Sequence, residues 1–438
     1  MIDIRGKKVL VAGLGISGYA AAELLACKGA LVKVTESEDV PEARQRLKKL
    51  ACYEVQYEIG GHTAPFCSDV ELVVISPGMG ADSFPVSVAR EKGIPVVGEL
   101  ELGFWFCPAP VIAITGTNGK STVTELIGSM LSSSGMHAVV CGNIGNPLSG
   151  VVDELSEKSV AVVEVSSFQL ETIKDFKPRV AALLNISDDH YERHGDYTSY
   201  KAEKFRIFSN QDEKDWALVH SDFQGDPALK NVRSQVVYFD SGKEEAFKGT
   251  IKREEVPLEG KHNLENIACS ILASRIMGAP EKSMREAILA FKGLPHRFER
   301  VGAYEGVEFI DDSKATNIDA AKRALESLEK KTVLIAGGRD KGGDYDSVLP
   351  VVEDRVKAMV LIGEARERMA EAFSKTVSVS SAGTMGEAVK KAYSLAEKGD
   401  VVMLSPMCSS FDMFLSYKER GEVFQAEVKK LFQEAKTG

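Results

Sequence analysis

Lys120 stands directly behind Gly116-Thr117-Asn118-Gly119 and in front of Ser121-Thr122. The apolar run Val111-Ile112-Ala113-Ile114 leads into this turn. Behind it Val123, Leu126, Ile127, Met130 and Leu131 recur at helical spacing, with Gly135 placed to stop the helix. Strand, glycine turn and helix in that order hold a nucleoside triphosphate. Backbone N–H groups and the positive helix N-terminus cradle phosphates, Lys120 neutralises them, and a hydroxyl of Ser121 or Thr122 reaches Mg²⁺. Ile114 occupies the place of the usual first glycine, so the loop is a shorter variant. The bland alternative is an ordinary strand–turn–helix with a solvated lysine.

Further candidates follow downstream. Glu164 lies near the end of the apolar strand Ser159–Val165, where a carboxylate is costly to bury unless it meets a cation, which makes it a Mg²⁺ ligand candidate. The strand Ala181–Ile186 is followed by Ser187-Asp188-Asp189-His190. His190 and His194 are four apart, as a zinc pair on a helix would be, but no thiolate is near, and a phosphate loop with Mg²⁺ explains the cluster better. His194 by itself reads as a surface residue. Tyr200–Phe208 should be helical, and its lysines, Lys201 and Lys204, would ordinarily be solvated. Gly260–Ala268 opens an alanine-rich helix whose amides either read a base or ribose or only cap the helix.

The elements that position these groups alternate. In residues 1 to about 95, Lys8–Ala12, Leu31–Thr35 and Leu72–Ile75 read as strands of a doubly wound parallel sheet, with ligand expected at their carboxyl ends. Gly13-x-Gly15-x-x-Gly18 with Glu36 downstream fits a dinucleotide dehydrogenase, yet the same turn suits any diphosphate, including a nucleotide-sugar, or a purely structural bend. Pro108-Ala109-Pro110 looks like a boundary. After Pro295–Arg300, strands at Val307–Ile310, Val333–Ala336, Met359–Ile362 and Val401–Leu404 resume the alternation, and polar or glycine-rich segments follow them. Glu422–Glu434 reads as an amphipathic helix with Val423, Phe424, Val428, Leu431 and Phe432 on its core face.

The chain has 438 residues, long for one domain, so two to four are expected. A net charge of −10 opposes a nucleic-acid-binding surface. The seven cysteines are scattered without a Cys-x-x-Cys pair, which argues against a disulfide framework or a thiolate zinc site. Met1–Gly6 is no signal peptide and no apolar run spans a bilayer, so the cytoplasm is expected, with no membrane partner.

The chain resembles the Mur ligases, the ATP-dependent amide-forming enzymes of peptidoglycan precursor synthesis, along its full length. Gly116–Thr122 marks the wider superfamily, which includes the folylpolyglutamate synthetases. Glu164–Glu171, His296-Arg297-Phe298-Glu299, Asp312–Asn317 and Leu404-Ser405-Pro406 narrow it to the branch that adds D-glutamate to UDP-N-acetylmuramoyl-L-alanine. The resemblance implies an α/β fold of three domains. Residues 1–95 would form a Rossmann-like domain for the UDP-substrate, 96–297 a central P-loop domain for ATP, and 298–438 a Rossmann-like domain for the amino acid. It also implies two Mg²⁺ ions, with Ser121 and Glu164 holding the first. His190 would hold the second with a carbamylated lysine, Lys204 by the family pattern and Lys201 as its rival.

By the same resemblance Asn266, Arg297 and Asp312 contact ATP. Ile16, Ser17, Thr35, Glu36, Gly78 and Asn143 contact the UDP-substrate, although Thr35-Glu36-Ser37 departs from the Asp-Thr-Arg that relatives often carry. Thr316, Lys341, Ser410 and Tyr417 contact D-glutamate, whose two carboxylates need cations and hydroxyls; Tyr417 stands where relatives often have Phe, and helix packing is its alternative role. A monomer is expected. The runner-up is another Mur ligase or a folylpolyglutamate synthetase-like enzyme with a different amino acid. An NAD-dependent oxidoreductase would leave Lys120, Glu164 and His190 unexplained, and a nucleotide switch without turnover would not need that full set.

Overall fold

The computed structural model describes residues 2–80, 82–187, 191–258 and 260–437. His190 lies outside them. The chain forms two compact units, one of Met1–Ile186, Glu192–Glu255 and Glu265–Ala290, the other of Ser187–Tyr191, Val256–Leu264 and Phe291–Gly438. No helix among the described residues is long and apolar enough to cross a membrane.

The first unit holds two parallel sheets. Strands β1 (Lys8–Ala12), β2 (Leu31–Glu36), β3 (Gln56–Ile59), β4 (Leu72–Ile75) and β5 (Val96–Gly98) lie in the order β3-β2-β1-β4-β5. The order reverses between β1 and β4, which opens a crevice at their carboxyl ends. The turn after β1 enters it, and Gly18 is required there because a Cβ would run into the Gly13 carbonyl oxygen.

The second sheet comprises β6 (Val111–Thr115), β7 (Ala138–Gly142), β8 (Val160–Glu164), β9 (Val180–Leu183), β10 (Trp216–His220) and β11 (Gln235–Phe239), ordered β11-β10-β9-β6-β8-β7. Its central strands are apolar because both faces are covered. The strand expected over Ala181–Ile186 stops at Leu183, because Leu184 and Asn185 turn to meet the glycine loop: Leu184 N–H donates to the Thr115 carbonyl at 3.0 Å.

One continuous core runs beneath both sheets, from Val9, Val11 and Val74 to Val111, Ala113 and Val163. Two buried carboxylates lie within it on the helix Glu99–Phe106. Glu99 Oε1 accepts from the Ser149 N–H at 2.7 Å and its hydroxyl at 2.6 Å, and burial pushes its carboxyl above the ordinary range. Glu101 accepts three backbone N–H groups, from Lys174, Asp175 and Phe176, at 2.8, 2.7 and 3.1 Å. Glu101→Ala would strand these donors in the core, so urea unfolding should show a loss of about 3 kcal/mol; an unchanged midpoint would contradict this.

The second unit contains β12 (Glu299–Tyr304), β13 (Val307–Asp311), β14 (Thr332–Gly337), β15 (Val356–Ile362), β16 (Ser378–Ser381) and β17 (Val401–Leu404). The order is β12-β13-β17-β14-β15-β16, and all pairs are parallel except β12 with β13. The turns leaving β13, β17 and β14 are therefore neighbours at one edge. The last helix spans Tyr417–Thr437, beginning earlier than the apolar pattern implied, and buries Phe424 and Val428 as that pattern predicts.

Candidate active site

β6 ends at Thr115 and a helix starts at Lys120, so Gly116–Gly119 form the turn. Gly119 takes φ +86°, and a Cβ there would run into Asn266 Oδ1, so the Asn266 side chain lies against the loop. Register places Glu164 beside Ile114 and Leu183 beside Thr115, which brings the ends of β8 and β9 to the base of the loop. Asn185 holds its shape: its carbonyl accepts the Thr117 N–H at 2.9 Å, its Oδ1 accepts the Asn118 N–H at 2.8 Å, and its Nδ2 donates to the Asn118 carbonyl at 3.0 Å. Sequence reasoning passed over this asparagine, although a polar residue at the end of an apolar strand is the signal that drew attention to Glu164.

Two ammonium groups converge on one atom of the loop. Lys120 Nζ donates to the Gly116 carbonyl at 2.9 Å and to that of Thr117 at 2.9 Å. Lys204 Nζ donates to the same Gly116 oxygen at 2.8 Å. Lys204 is only 1 % exposed and lies over the Tyr200 ring, 4.5 Å from its centroid. The expectation of a solvated lysine fails here because the helix Tyr197–Phe205 presses this face onto the loop. Lys201 faces elsewhere and pairs with Asp226.

Glu164 is buried, and its Oε1 accepts from Asn143 Nδ2 at 2.7 Å while its carbonyl accepts the Asn143 N–H at 2.8 Å. Ser121 is buried in the first turn of the helix that Lys120 opens. Glu125, one turn on, has its carboxyl pushed up by burial and by the charge of Glu164. His194 is a correction. Its side chain is 4 % exposed, bonds the Ser167 hydroxyl at 2.9 Å and stacks on Phe168, because the capped turn at Ser166 and the Tyr200 ring enclose it.

At the first sheet, Thr35 is fully buried and its hydroxyl meets His62 Nδ1 at 2.7 Å. Glu36 Oε2 accepts the Leu14 N–H at 2.6 Å. Burial raises the Glu36 carboxyl, but this bond and those from Ser37 and Glu38 outweigh it and hold it below the ordinary range. One amide of the glycine turn is thus already taken by Glu36. Ile16 opens the following helix and is exposed, with Ser17 next to it. Gly78 follows β4 at the same edge.

In the second unit, Asp312 Oδ2 accepts from the Ser405 hydroxyl at 2.9 Å and Oδ1 from the Phe298 N–H at 3.1 Å. Burial pushes its carboxyl from 3.8 up to about 7, against the pull of these bonds and of Arg297. The folded chain therefore holds this proton more tightly than the unfolded chain does. The charged form weakens the fold progressively between those two values and fully above the upper one. Asp312→Asn should accordingly gain in thermal stability relative to the parent as pH rises from about 4 to about 7. A constant difference across that window would refute the assignment.

His296 and Phe298 adopt φ +62° and +47°, bracketing Arg297. His296 Nδ1, Glu299 and Asp311 lie close enough to suggest a metal, but Gln425 Nε2 donates to Glu299 Oε2 at 3.0 Å and Asp311 Oδ2 at 2.9 Å and fills the cluster. The cluster fixes the Arg297 segment. Thr316, Lys341 and Ser410 sit on the three turns at the carboxyl edge of β13, β14 and β17. Tyr417 opens the last helix, with Lys314 Nζ 4.1 Å from its ring centroid.

Three family models match in series: a MurD-like N-terminal domain of Mur ligases over residues 7–98, the Mur ligase middle domain over 114–274, and the Mur ligase glutamate ligase domain over 296–408. The UDP-N-acetylmuramoylalanine–D-glutamate ligase of Desulfosudis oleivorans is 43% identical, covering 98% of each chain. The chain belongs to the Mur ligase family. A second relative of the same name, from Koribacter versatilis, is 41% identical over 99% of this chain and all of its own. Among solved Mur ligases, the Thermotoga maritima MurF ligase in complex with ADP superposes with a TM-score of 0.60 at 18% identity, covering 98% of this chain and 96% of its own. A pseudomurein peptide ligase type C from Methanothermus fervidus gives 0.59 at 19%, covering 97% and 100%. These likenesses show that the α/β architecture is that of the Mur ligases.

Proposed function

We propose that this Mur ligase joins D-glutamate to the terminal carboxylate of UDP-N-acetylmuramoyl-L-alanine, converting ATP to ADP and phosphate, as a cytoplasmic monomer that uses neither nucleic acid nor membrane. The relatives' names support the substrates. The observation that carries the chemistry is the convergence of Lys120 and Lys204 on the Gly116 carbonyl, beside Glu164. In this reading residues 1–95 take the UDP-substrate through Ile16, Ser17, Thr35, Glu36 and Gly78, with Asn143 reaching in from the central domain. Residues 96–297 take ATP on Gly116–Thr122 and Asn266, with Arg297 completing that site, and residues 298–438 supply Asp312 to ATP and Thr316, Lys341, Ser410 and Tyr417 to D-glutamate.

The substrate carboxylate attacks the γ-phosphorus of ATP and forms an acyl phosphate as ADP leaves. The amine of D-glutamate then adds to the acyl carbon, and the tetrahedral adduct expels phosphate to leave the amide. Both partners of the first step are anions, so they approach only where positive charge screens them. Lys120 supplies that charge from the chain itself, and the turn's N–H groups and helix N-terminus orient the phosphates. Oxygen donors at Ser121, at Glu164 and on a carbamylated Lys204 would suit hard Mg²⁺ ions, with His190 adding an imidazole nitrogen to the second; bound there, the ions would add charge screening at the transferring phosphoryl group. A lysine amine must lose its proton before adding to CO₂.

Phosphate release by the purified chain with Mg²⁺-ATP and the UDP-substrate, varying the amino acid, tests the proposal. Release that needs D-glutamate and ignores L-glutamate and L-lysine is expected. Release dependent on another amino acid would move the chain to a different branch of the family.

A further inference from the structure

Arg420 is the largest fully buried side chain of the second unit, 1 % exposed, and among the described residues it makes no ion pair. Its two Nη atoms instead donate to backbone carbonyls, while Nε is buried without a hydrogen-bond partner. Nη2 donates to Ser313 at 2.9 Å and to Cys408 at 3.1 Å, and Nη1 donates to Ser409 at 3.2 Å. The turn after β13 and the turn after β17 are thereby clamped together. The turn after β14 joins through the same atom, because the Ser409 carbonyl also accepts the Arg339 N–H at 3.0 Å. A burial that lowers this guanidinium to about 10 is a cost that ordinary packing would avoid with an apolar side chain.

The residues held this way are those next to the proposed second-substrate contacts. Ser409 precedes Ser410, and Arg339 lies two residues before Lys341. Ser313 lies three residues before Thr316, and its hydroxyl donates to the Tyr417 carbonyl at 2.7 Å, one turn ahead of Arg420 on the same helix. We infer that Arg420 is a positioning residue for the D-glutamate subsite: its planar fork sets the spacing of the three turns that carry Thr316, Lys341 and Ser410, and of the helix start at Tyr417. This inference rests on the reaction proposed above. A lysine keeps the charge but is a single point of attachment and cannot span two turns with fixed geometry.

The test is steady-state phosphate release by full-length Arg420→Met and Arg420→Lys, varying each substrate in turn and recording thermal unfolding of each variant. Arg420→Met should raise the KM for D-glutamate about tenfold or more, as loss of a group that orients binding residues does, with Arg420→Lys intermediate. The KM for UDP-N-acetylmuramoyl-L-alanine should change less than about twofold, since its contacts belong to other elements. A folded variant with an unchanged D-glutamate KM overturns the inference, as do equal rises for all three substrates. If Arg420→Met does not fold, Arg420→Lys decides alone; failure of that variant too would assign Arg420 to stability only. Parent protein that releases phosphate without needing D-glutamate would overturn the reaction itself, a result separable from a parent that needs D-glutamate and variants that bind it normally.

Discussion

Replacing Lys204 with alanine is expected to lower turnover by about 10³-fold, the scale on which a preorganised charge-stabilising group acts. The fold should persist, because the Tyr197–Phe205 helix keeps its Asp196 cap. If the buried amine works as a carbamate, acetate or formate should restore part of the lost rate in the truncated site. Added bicarbonate should raise the parent's rate and leave the variant's unchanged. A Lys204→Ala enzyme with near-parent turnover would remove Lys204 from the mechanism, and Lys201→Ala would then be the comparison to make.

Lys120→Ala should cost a similar factor, about 10²–10³ in kcat/KM for ATP, because it withdraws a cation that contacts two of the loop's carbonyls. Here calorimetric titration with a non-hydrolysable ATP analogue separates binding from chemistry. Loss of turnover with binding retained would place the lysine's action at phosphoryl transfer. Loss of both would make it chiefly a nucleotide anchor, and loss of neither would refute the phosphate-loop reading. The surrounding structure should tolerate the change, since Asn185 holds Thr117 and Asn118 independently of it.

Much of this site is local in sequence and was therefore legible there. A strand, a glycine turn and a helix over Val111–Leu131 are consecutive elements, so their periodicity alone places Lys120. What escaped was long-range or polar. Asn185, His194 and Arg420 act through partners far along the chain, and nothing in their neighbours' pattern reports that burial. Strand β16, Ser378–Ser381, is a half-exposed edge without an apolar run, and β3 is similar, so periodicity had nothing to seize. His194 was misjudged because a histidine's surroundings, rather than its type, decide whether it faces solvent.

The shared core beneath the first two sheets has a practical consequence for anyone recombining members of this family. Glu99 and Glu101 lie just past residue 95, and their acceptors are answered by Ser149 and by Lys174–Phe176. A fragment cut at that point would part β1–β4 from β5 and from the core they share with β6 and β8, so an apolar underside would face water, while the remainder would keep both carboxylates with their partners. Modular exchange should therefore move the two sheets as one cassette, and grafts of the first sheet alone should aggregate.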